Sequence, residues 1–326
     1  MITSLYQSLC NMETNIADRV ALRWYDEEKQ GVAEVHYAQY AQDLRRFVAF
    51  LRAEYGDVRG KRVAILARNS YQYVICMYGT VIAGGVAVPL VTKEEDHFRL
   101  TAAALEAAIT PKTKLLVFPY PNNPTGAVMR REDLEPICRV LQKHNIYVLS
   151  DEIYSELTYG GADHTSIAAM PGMAERTVVI NGFSKTYSMT GWRLGYSAAP
   201  APIAKAIQMI QDHTTSNVCT FAQYGGIEAL TGDQSFISDM RDEYDMRRQY
   251  VYSRLSAIPN VSVVEPQGAF YFFVDTSKLG LTSLNLCDKL LERYKVAAVP
   301  GIAFGNDKGI RISYCTTLDI LKEALD

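Results

Sequence analysis

Apolar runs of strand length alternate with stretches of helical spacing through the middle of the chain, and this constrains the fold more than any other feature. The runs are Val86 to Leu90, Lys114 to Phe118, Ile146 to Leu149, Thr177 to Ile180 and Arg193 to Ala198. Helical spacing fills Thr101 to Ile109, Arg131 to His144 and Pro202 to Asp212. Near-continuous apolar strands must be covered on both faces, and intervening helices provide that cover. The pattern therefore predicts α/β: a mainly parallel sheet sandwiched by helices, with right-handed crossovers. Upstream, Tyr37 to Tyr55 carries a helical stripe of Leu44, Phe47, Val48 and Leu51. Arg62 to Leu66, Tyr71 to Ala83 and Val86 to Leu90 then read as a βαβ unit. Asp233 to Ala257 reads as one long helix. After it, Val261 to Val264, Ala269 to Val274 and Ile310 to Ser313 alternate like strands of a smaller C-terminal α+β domain.

The chain of 326 residues is long enough for two packing units. Its net charge of -3 provides no basic field for nucleic acid or an anionic membrane. The six cysteines include no Cys-x-x-Cys pair, so they read as reduced thiols in a cytoplasmic protein. Met1 to Tyr25 is polar and mixed, unlike a signal peptide. Val74 to Val91 is free of charge and long enough to suggest a membrane span. Gly84-Gly85 and Pro89 interrupt it, so a buried helix, a turn and a buried strand are expected instead. The Asn260-Val261-Ser262 sequon reads as a chance match.

Five local features bear on chemistry. Pro121-Asn122-Asn123-Pro124-Thr125-Gly126 follows one strand and, taken alone, is a turn. Ser150-Asp151-Glu152-Ile153-Tyr154 ends the next; alone, its acid is a helix N-cap. Ser184-Lys185-Thr186-Tyr187 follows a third, and a loop lysine is usually solvated. Gly191 to Tyr196 holds Arg193, which alone reads as a surface ion pair. Arg311 interrupts an apolar strand, where an arginine is uncommon. Their placement ties them together. The first three follow successive strands and converge on the carboxyl edge of the sheet, where open α/β folds bind ligands.

Residues from about 91 to 326 resemble the class I aminotransferases of fold type I. The resemblance rests on Asn123-Pro124-Thr125-Gly126, Ser150 to Tyr154, Phe183-Ser184-Lys185 through Gly195, and Arg311-Ile312-Ser313-Tyr314, in that order and spacing. It implies pyridoxal 5'-phosphate as cofactor, with amino acids and 2-oxo acids as substrates. It assigns Lys185 as the Schiff-base lysine and proton shuttle. Asp151 would pair with the pyridine nitrogen and keep the ring an electron sink. Asn123 and Tyr154 would hydrogen-bond the ring oxygen. Ser184 and Arg193 would hold the phosphate, and Arg311, with Asn123 beside it, would clamp the substrate carboxylate. A homodimer is the family's usual state.

Residues 1–90 resemble instead the N-terminal segment of adenylate-forming acyl-CoA synthetases. The residues that carry this are Asp18 to Leu22, Tyr37 to Leu51, Gly60 to Leu66, Asn69-Ser70 and Ala83 to Leu90. That family's phosphate loop is absent, so no adenylation is expected. The domains expected are thus 1–90, a partial cofactor-binding domain at 91–234, and a small domain at 235–326. In such a hybrid Tyr71 or Tyr73 would take the place of the ring-stacking aromatic, against an ordinary helix-start role. The family's glycine loop for the phosphate and its N-terminal arm are missing, which implies weaker cofactor retention and impaired turnover. The alternatives are a non-catalytic remnant that binds the cofactor and a lyase on the same scaffold.

Overall fold

The computed structural model describes residues 18, 20–26, 31–36 and 42, and residues 92–326 except 112 and 215–216. The chain divides into two compact units: Met1–Pro89 with Ala108–Leu115, and Leu90–Ala107 with Leu116–Asp326. In the first, β1 (Val20–Asp26) and β2 (Gly31–His36) form an antiparallel hairpin, with Trp24 opposite Ala33. The sequence reading did not anticipate this hairpin. Its elements over 43–90, and the proposed stacking role of Tyr71 or Tyr73, lie outside the described residues.

Further along come α1 (Ala102–Ala108), β3 (Leu115–Pro119), α2 (Arg131–Lys143), β4 (Tyr147–Asp151), β5 (Thr177–Gly182), α3 (Phe183–Thr186) and β6 (Gly195–Ala198). The strands β3 to β6 make one sheet in that spatial order. The strands β4 and β5 are parallel, with Asp151 beside Ile180. The helix α2 shows why the pattern was readable: Leu134, Ile137, Cys138 and Leu141 fall at helical spacing and are all buried. The backbone N–H of Arg130 donates to the Asp133 carboxylate at 2.9 Å and closes the helix start.

One expectation is corrected. The strand β6 runs antiparallel to β5, pairing Gly182 with Gly195. A parallel return must recross the full strand length, usually on a helix. The connection here contains only the single turn α3 and a 3-10 turn at Thr190–Trp192. The chain therefore reverses at the edge where β5 ends.

Helices α4 (Ala201–Thr214), α5 (Thr220–Thr231) and α6 (Ser235–Ser256) precede the C-terminal sheet. That sheet is β7 (Ser262–Val263), β8 (Tyr271–Asp275), β9 (Val299–Pro300) and β10 (Gly309–Ser313), in spatial order β7-β8-β10-β9 with every pairing antiparallel. Helices α7 (Ser283–Tyr294) and α8 (Leu318–Leu325) complete it. The sequence reading omitted α5, α7 and α8. Gly225 and Gly226 obscure α5, since glycine opposes helix formation. The other two start at Thr282 and Thr317, whose side chains accept from Asn285 and Ile320 N–H, a capping signal that was there to read.

The core of this region gathers Phe270, Phe272 and Tyr314 from the sheet side with Val251 and Leu255 from α6, Cys287 from α7 and Leu321 from α8. Phe272 is 0% exposed. Phe272→Ala should therefore destabilise the fold by about 3–5 kcal/mol, transfer and cavity costs together, as read by chemical denaturation. A loss under 1 kcal/mol would contradict this packing. Cys138, Cys219, Cys287 and Cys315 are free thiols. Among the described residues no helix is long and apolar enough to cross a membrane.

Candidate active site

The loop after β3 is held by its own side chains. Asn122 Oδ1 accepts from Thr125 Oγ1 at 2.8 Å and from Thr125 N–H at 3.2 Å, while Asn122 Nδ2 donates to the Pro119 carbonyl. Gly126 adopts φ +71°, and a Cβ there would collide with Pro266 and the Gly268 carbonyl. Only glycine permits this close approach, in which Gln267 and Gly268 N–H both donate to the Gly126 carbonyl. The fixed loop presents Asn123 toward the C-terminal sheet, where its Oδ1 accepts from Arg311 Nη1 at 2.9 Å.

Arg311 stands on β10 opposite Phe273 of β8. Its guanidinium lies near two rings, 4.5 Å from the Tyr271 centroid and 5.1 Å from that of Phe304. Its Nε is buried without a hydrogen-bond partner. Tyr271 in turn shares a hydroxyl–hydroxyl hydrogen bond of 3.1 Å with Tyr154. The Tyr154 ring also meets Phe270 edge-on at 5.4 Å. Lys185 Nζ sits 5.7 Å from the Tyr154 centroid and 5.2 Å from that of Phe270. Among the described residues it has no carboxylate within ion-pair distance. An unbroken set of contacts thus joins Lys185, Tyr154, Tyr271, Arg311 and Asn123.

Electrostatics follow from this enclosure. Burial lowers the Lys185 pKa below 10.5, Arg193 and Arg311 add to the effect, and Cys315 opposes it. A larger share of neutral amine results near neutral pH. Burial pushes the Tyr154 hydroxyl far above its ordinary value, with Tyr271 adding to the rise, so Tyr154 keeps its proton and can donate it. Asp151 ends β4, and its Oδ1 accepts from Ile153 N–H at 3.2 Å. Burial raises its pKa above 3.8 and neighbouring Glu152 adds to the rise, while the Ile153 bond opposes it. Among the described residues no cation pairs with it.

Glu152, unread in the sequence, turns the other way. It is 4% exposed and accepts from Ser150 Oγ at 2.8 Å, Ser166 Oγ at 2.7 Å and His164 Nε2 at 3.0 Å. Burial alone would raise its pKa; the His164, Ser166 and Ser150 bonds outweigh that and keep it lowered. This cluster anchors the turn that presents Asp151. Ser184 lies half-buried in α3, one residue before Lys185. Arg193 adopts φ +55° just before β6 and is exposed, with Nη1 donating to the Thr190 carbonyl at 2.6 Å. Because β6 is antiparallel, its start lies at the edge where β5 ends. The unexpected strand direction therefore brings Arg193 to the edge of Lys185.

A cavity of about 530 Å³ is lined by Thr125 and Ala127 of the loop with Arg99, Arg248 and Glu265, and by none of Asn123, Asp151, Lys185 or Arg311. Its guanidinium groups are already committed. Arg248 binds Asp245 and Glu265, both at 2.6 Å, and Arg99 binds Gln267 at 2.7 Å. Among the described residues the strand-end cluster instead holds an amine without an anion, an acid without a cation, and a guanidinium whose Nε has no partner.

The buried Asp151 charge has a measurable cost. The folded chain holds the Asp151 proton more tightly than the unfolded chain, so stability falls as pH rises from the ordinary value of 3.8 through the raised folded value. Above that window the penalty is complete. Asp151→Asn should therefore melt at a higher temperature than the unmodified chain at neutral pH, with the gap closing below pH 3.8. Thermal melts in the absence of ligand check this, and a gap independent of pH would refute it.

The chain matches the family model "Aminotransferase class I and II" over residues 70–326. This begins ahead of the expected start at 91, so residues 70–90 fall within the aminotransferase match. The chain is 44% identical over 251 residues to the aspartate aminotransferase of Bacillus sp. (strain YM-2), covering 75% of this chain and 64% of that protein. It is 42% identical over 250 residues to aromatic-amino-acid aminotransferase 2 of Thermococcus litoralis, covering 76% and 64%. It thus spans just under two thirds of the length of these curated relatives. Among solved structures, the aromatic aminotransferase from Pyrococcus horikoshii superposes with a TM-score of 0.75 at 39% identity, covering 87% of this chain and 75% of that one. The Thermus thermophilus aspartate aminotransferase with maleate gives 0.72 at 35% identity, covering 87% and 80%. Two sheets, one strand-end cluster and a family match over most of the sequence agree, and the chain belongs to the class I and II aminotransferases.

Proposed function

We propose that this protein is a pyridoxal-phosphate-dependent aminotransferase that moves an amino group between an amino acid and a 2-oxo acid. The reading rests on the contacts that link Lys185, Tyr154, Arg311 and Asn123 beside a buried Asp151 that has no cation partner among the described residues. The unpartnered groups fit the cofactor: an amine for its aldehyde carbon, an acid for its ring nitrogen, and a guanidinium for the substrate carboxylate. When bound, the cofactor supplies an electron sink that makes the proton on the substrate α-carbon acidic.

The chain's residues do the rest. Lys185 is the covalent anchor and, once displaced, the base that takes and returns the α-carbon proton; its lowered pKa keeps a larger share of the amine neutral. Asp151 holds a proton at the ring nitrogen, and the charge pairing there offsets its burial cost. Tyr154 and Asn123 donate to the ring oxygen. Ser184 and Arg193 hold the phosphate. Arg311 clamps the carboxylate and fixes which bond at the α-carbon breaks.

The same reading divides the chain at 91–234 and 235–326 and expects a cytoplasmic homodimer. For residues 1–90 we keep the resemblance to an adenylate-forming N-terminal segment, without that family's chemistry, although residues 70–90 also fall within the aminotransferase match. The test is an absorbance spectrum with and without added pyridoxal phosphate, followed by an amino-acid panel with 2-oxoglutarate. A cofactor band near the visible edge and 2-oxo acid formation are expected. A band without turnover would leave only a cofactor-binding remnant, and elimination products without amino transfer would point to lyase chemistry.

A further inference from the structure

We infer that Tyr271 is a positioning residue that serves two groups of the site at once, its hydroxyl setting Tyr154 and its ring setting Arg311. This rests on the proposed function and names a residue which that reading leaves unassigned.

Tyr271 begins β8 and pairs with Ser313 of β10, while Phe273 pairs with Arg311. Positions two apart share a face, so Arg311 stands diagonally across from Tyr271, within reach of a long side chain. Arg311 uses that reach: its guanidinium lies 4.5 Å from the Tyr271 ring, and the Phe304 ring is 5.1 Å away. A ring over its face leaves the edge of the guanidinium free for in-plane hydrogen bonds, one of which already goes to Asn123. The Tyr271 hydroxyl meets Tyr154 at 3.1 Å, and both residues are buried, at 8% and 5% exposure.

A phenol has one proton. If Tyr154 donates to the cofactor's ring oxygen, it cannot also donate to Tyr271. The shared bond must then run from the Tyr271 O–H to the Tyr154 oxygen. A hydrogen bond received strengthens the one given, so Tyr271 makes Tyr154 a better donor. A better donor drains charge from the ring oxygen. That oxygen then holds less tightly the proton it shares with the Lys185-linked nitrogen, and the proton leaves at lower pH.

The experiment uses the full chain loaded with pyridoxal phosphate. It reads the pH midpoint of the visible absorbance change and the affinity for maleate, a dicarboxylate that does not react. Tyr271→Phe keeps the ring and loses the hydroxyl. Its midpoint should rise by about half a pH unit, as expected for losing part of one bond's cooperative strengthening. Its maleate affinity should stay within about twofold of wild type. Tyr271→Leu loses both groups, and should add to the raised midpoint a weakening of maleate by about 2–5-fold. The Phe variant changes no packing volume, so it decides the matter even if the Leu variant fails to fold. An unchanged midpoint in Tyr271→Phe overturns the inference while leaving the proposed function standing. Equal loss of maleate affinity in both variants also overturns it. A wild-type chain that takes up no cofactor overturns both readings.

Discussion

Lys185→Ala should abolish amino transfer, with a loss of at least about 10²–10⁴-fold from the acid–base contribution alone. In the proposed role the covalent anchor would go with it, so the loss should be larger still. The side chain occupies a mixed aromatic pocket against Tyr154 and Phe270 and has no ion pair among the described residues. Removing it takes away a desolvated ammonium, so the fold should be unharmed. Added cofactor should then show the spectrum of a free aldehyde and wash out on a desalting column. Single-turnover kinetics with an amino-acid donor are the check. A variant that keeps more than a tenth of wild-type activity would show that another group moves the proton.

Arg311→Leu should be the second large loss. Two charge-assisted hydrogen bonds to a carboxylate contribute about 3–6 kcal/mol, which is about 10²–10⁴-fold in kcat/KM. The loss should be similar for every amino acid in the panel, because in the proposed role the clamp grips the group they share. Arg311→Lys should recover only part of it: a lysine cannot offer the two-pronged fork, and its compact ammonium would not stack on the Tyr271 ring as the planar guanidinium does. The arginine's Nε is buried without a partner, so leucine removes an unsatisfied donor and the protein should remain folded. A loss confined to acidic substrates would show that Arg311 reads the side chain rather than the α-carboxylate.

Much of the scaffold was legible because burial leaves a period in the sequence. The stripe of Leu134, Ile137, Cys138 and Leu141 predicts a helix, and a helix is found there. The strands containing Phe118, Val148 and Val178 were legible as apolar runs for the same reason. Asn123, Asp151 and Lys185 could be placed near one another because strand ends in such a sheet share an edge. Direction was harder to read. The apolar content of β6 is the same whether it runs up or down, and only the short connection through α3 and the 3-10 turn decides. The partners of the charged groups were hidden for a different reason. Tyr271 and Phe304 look like any core aromatics, and only the diagonal across β8 and β10 brings them to Arg311. Glu152 next to Asp151 carries no local signal of its role, which appears only when the fold returns Ser166 and His164 to bury and bind it. The family match from residue 70 was also missed, because the strand-turn patterns there suit more than one parent fold.

Borohydride reduction of the protein incubated with pyridoxal phosphate, followed by peptide mass mapping, addresses the assignment of Lys185 without relying on turnover. One pyridoxyl group per chain, carried on the peptide that contains Lys185 and absent from that peptide in Lys185→Ala, is the expected result. Label scattered over exposed lysines such as Lys93 and Lys143, or no label at all, would contradict the placement of the reactive amine among Tyr154, Phe270 and Arg311.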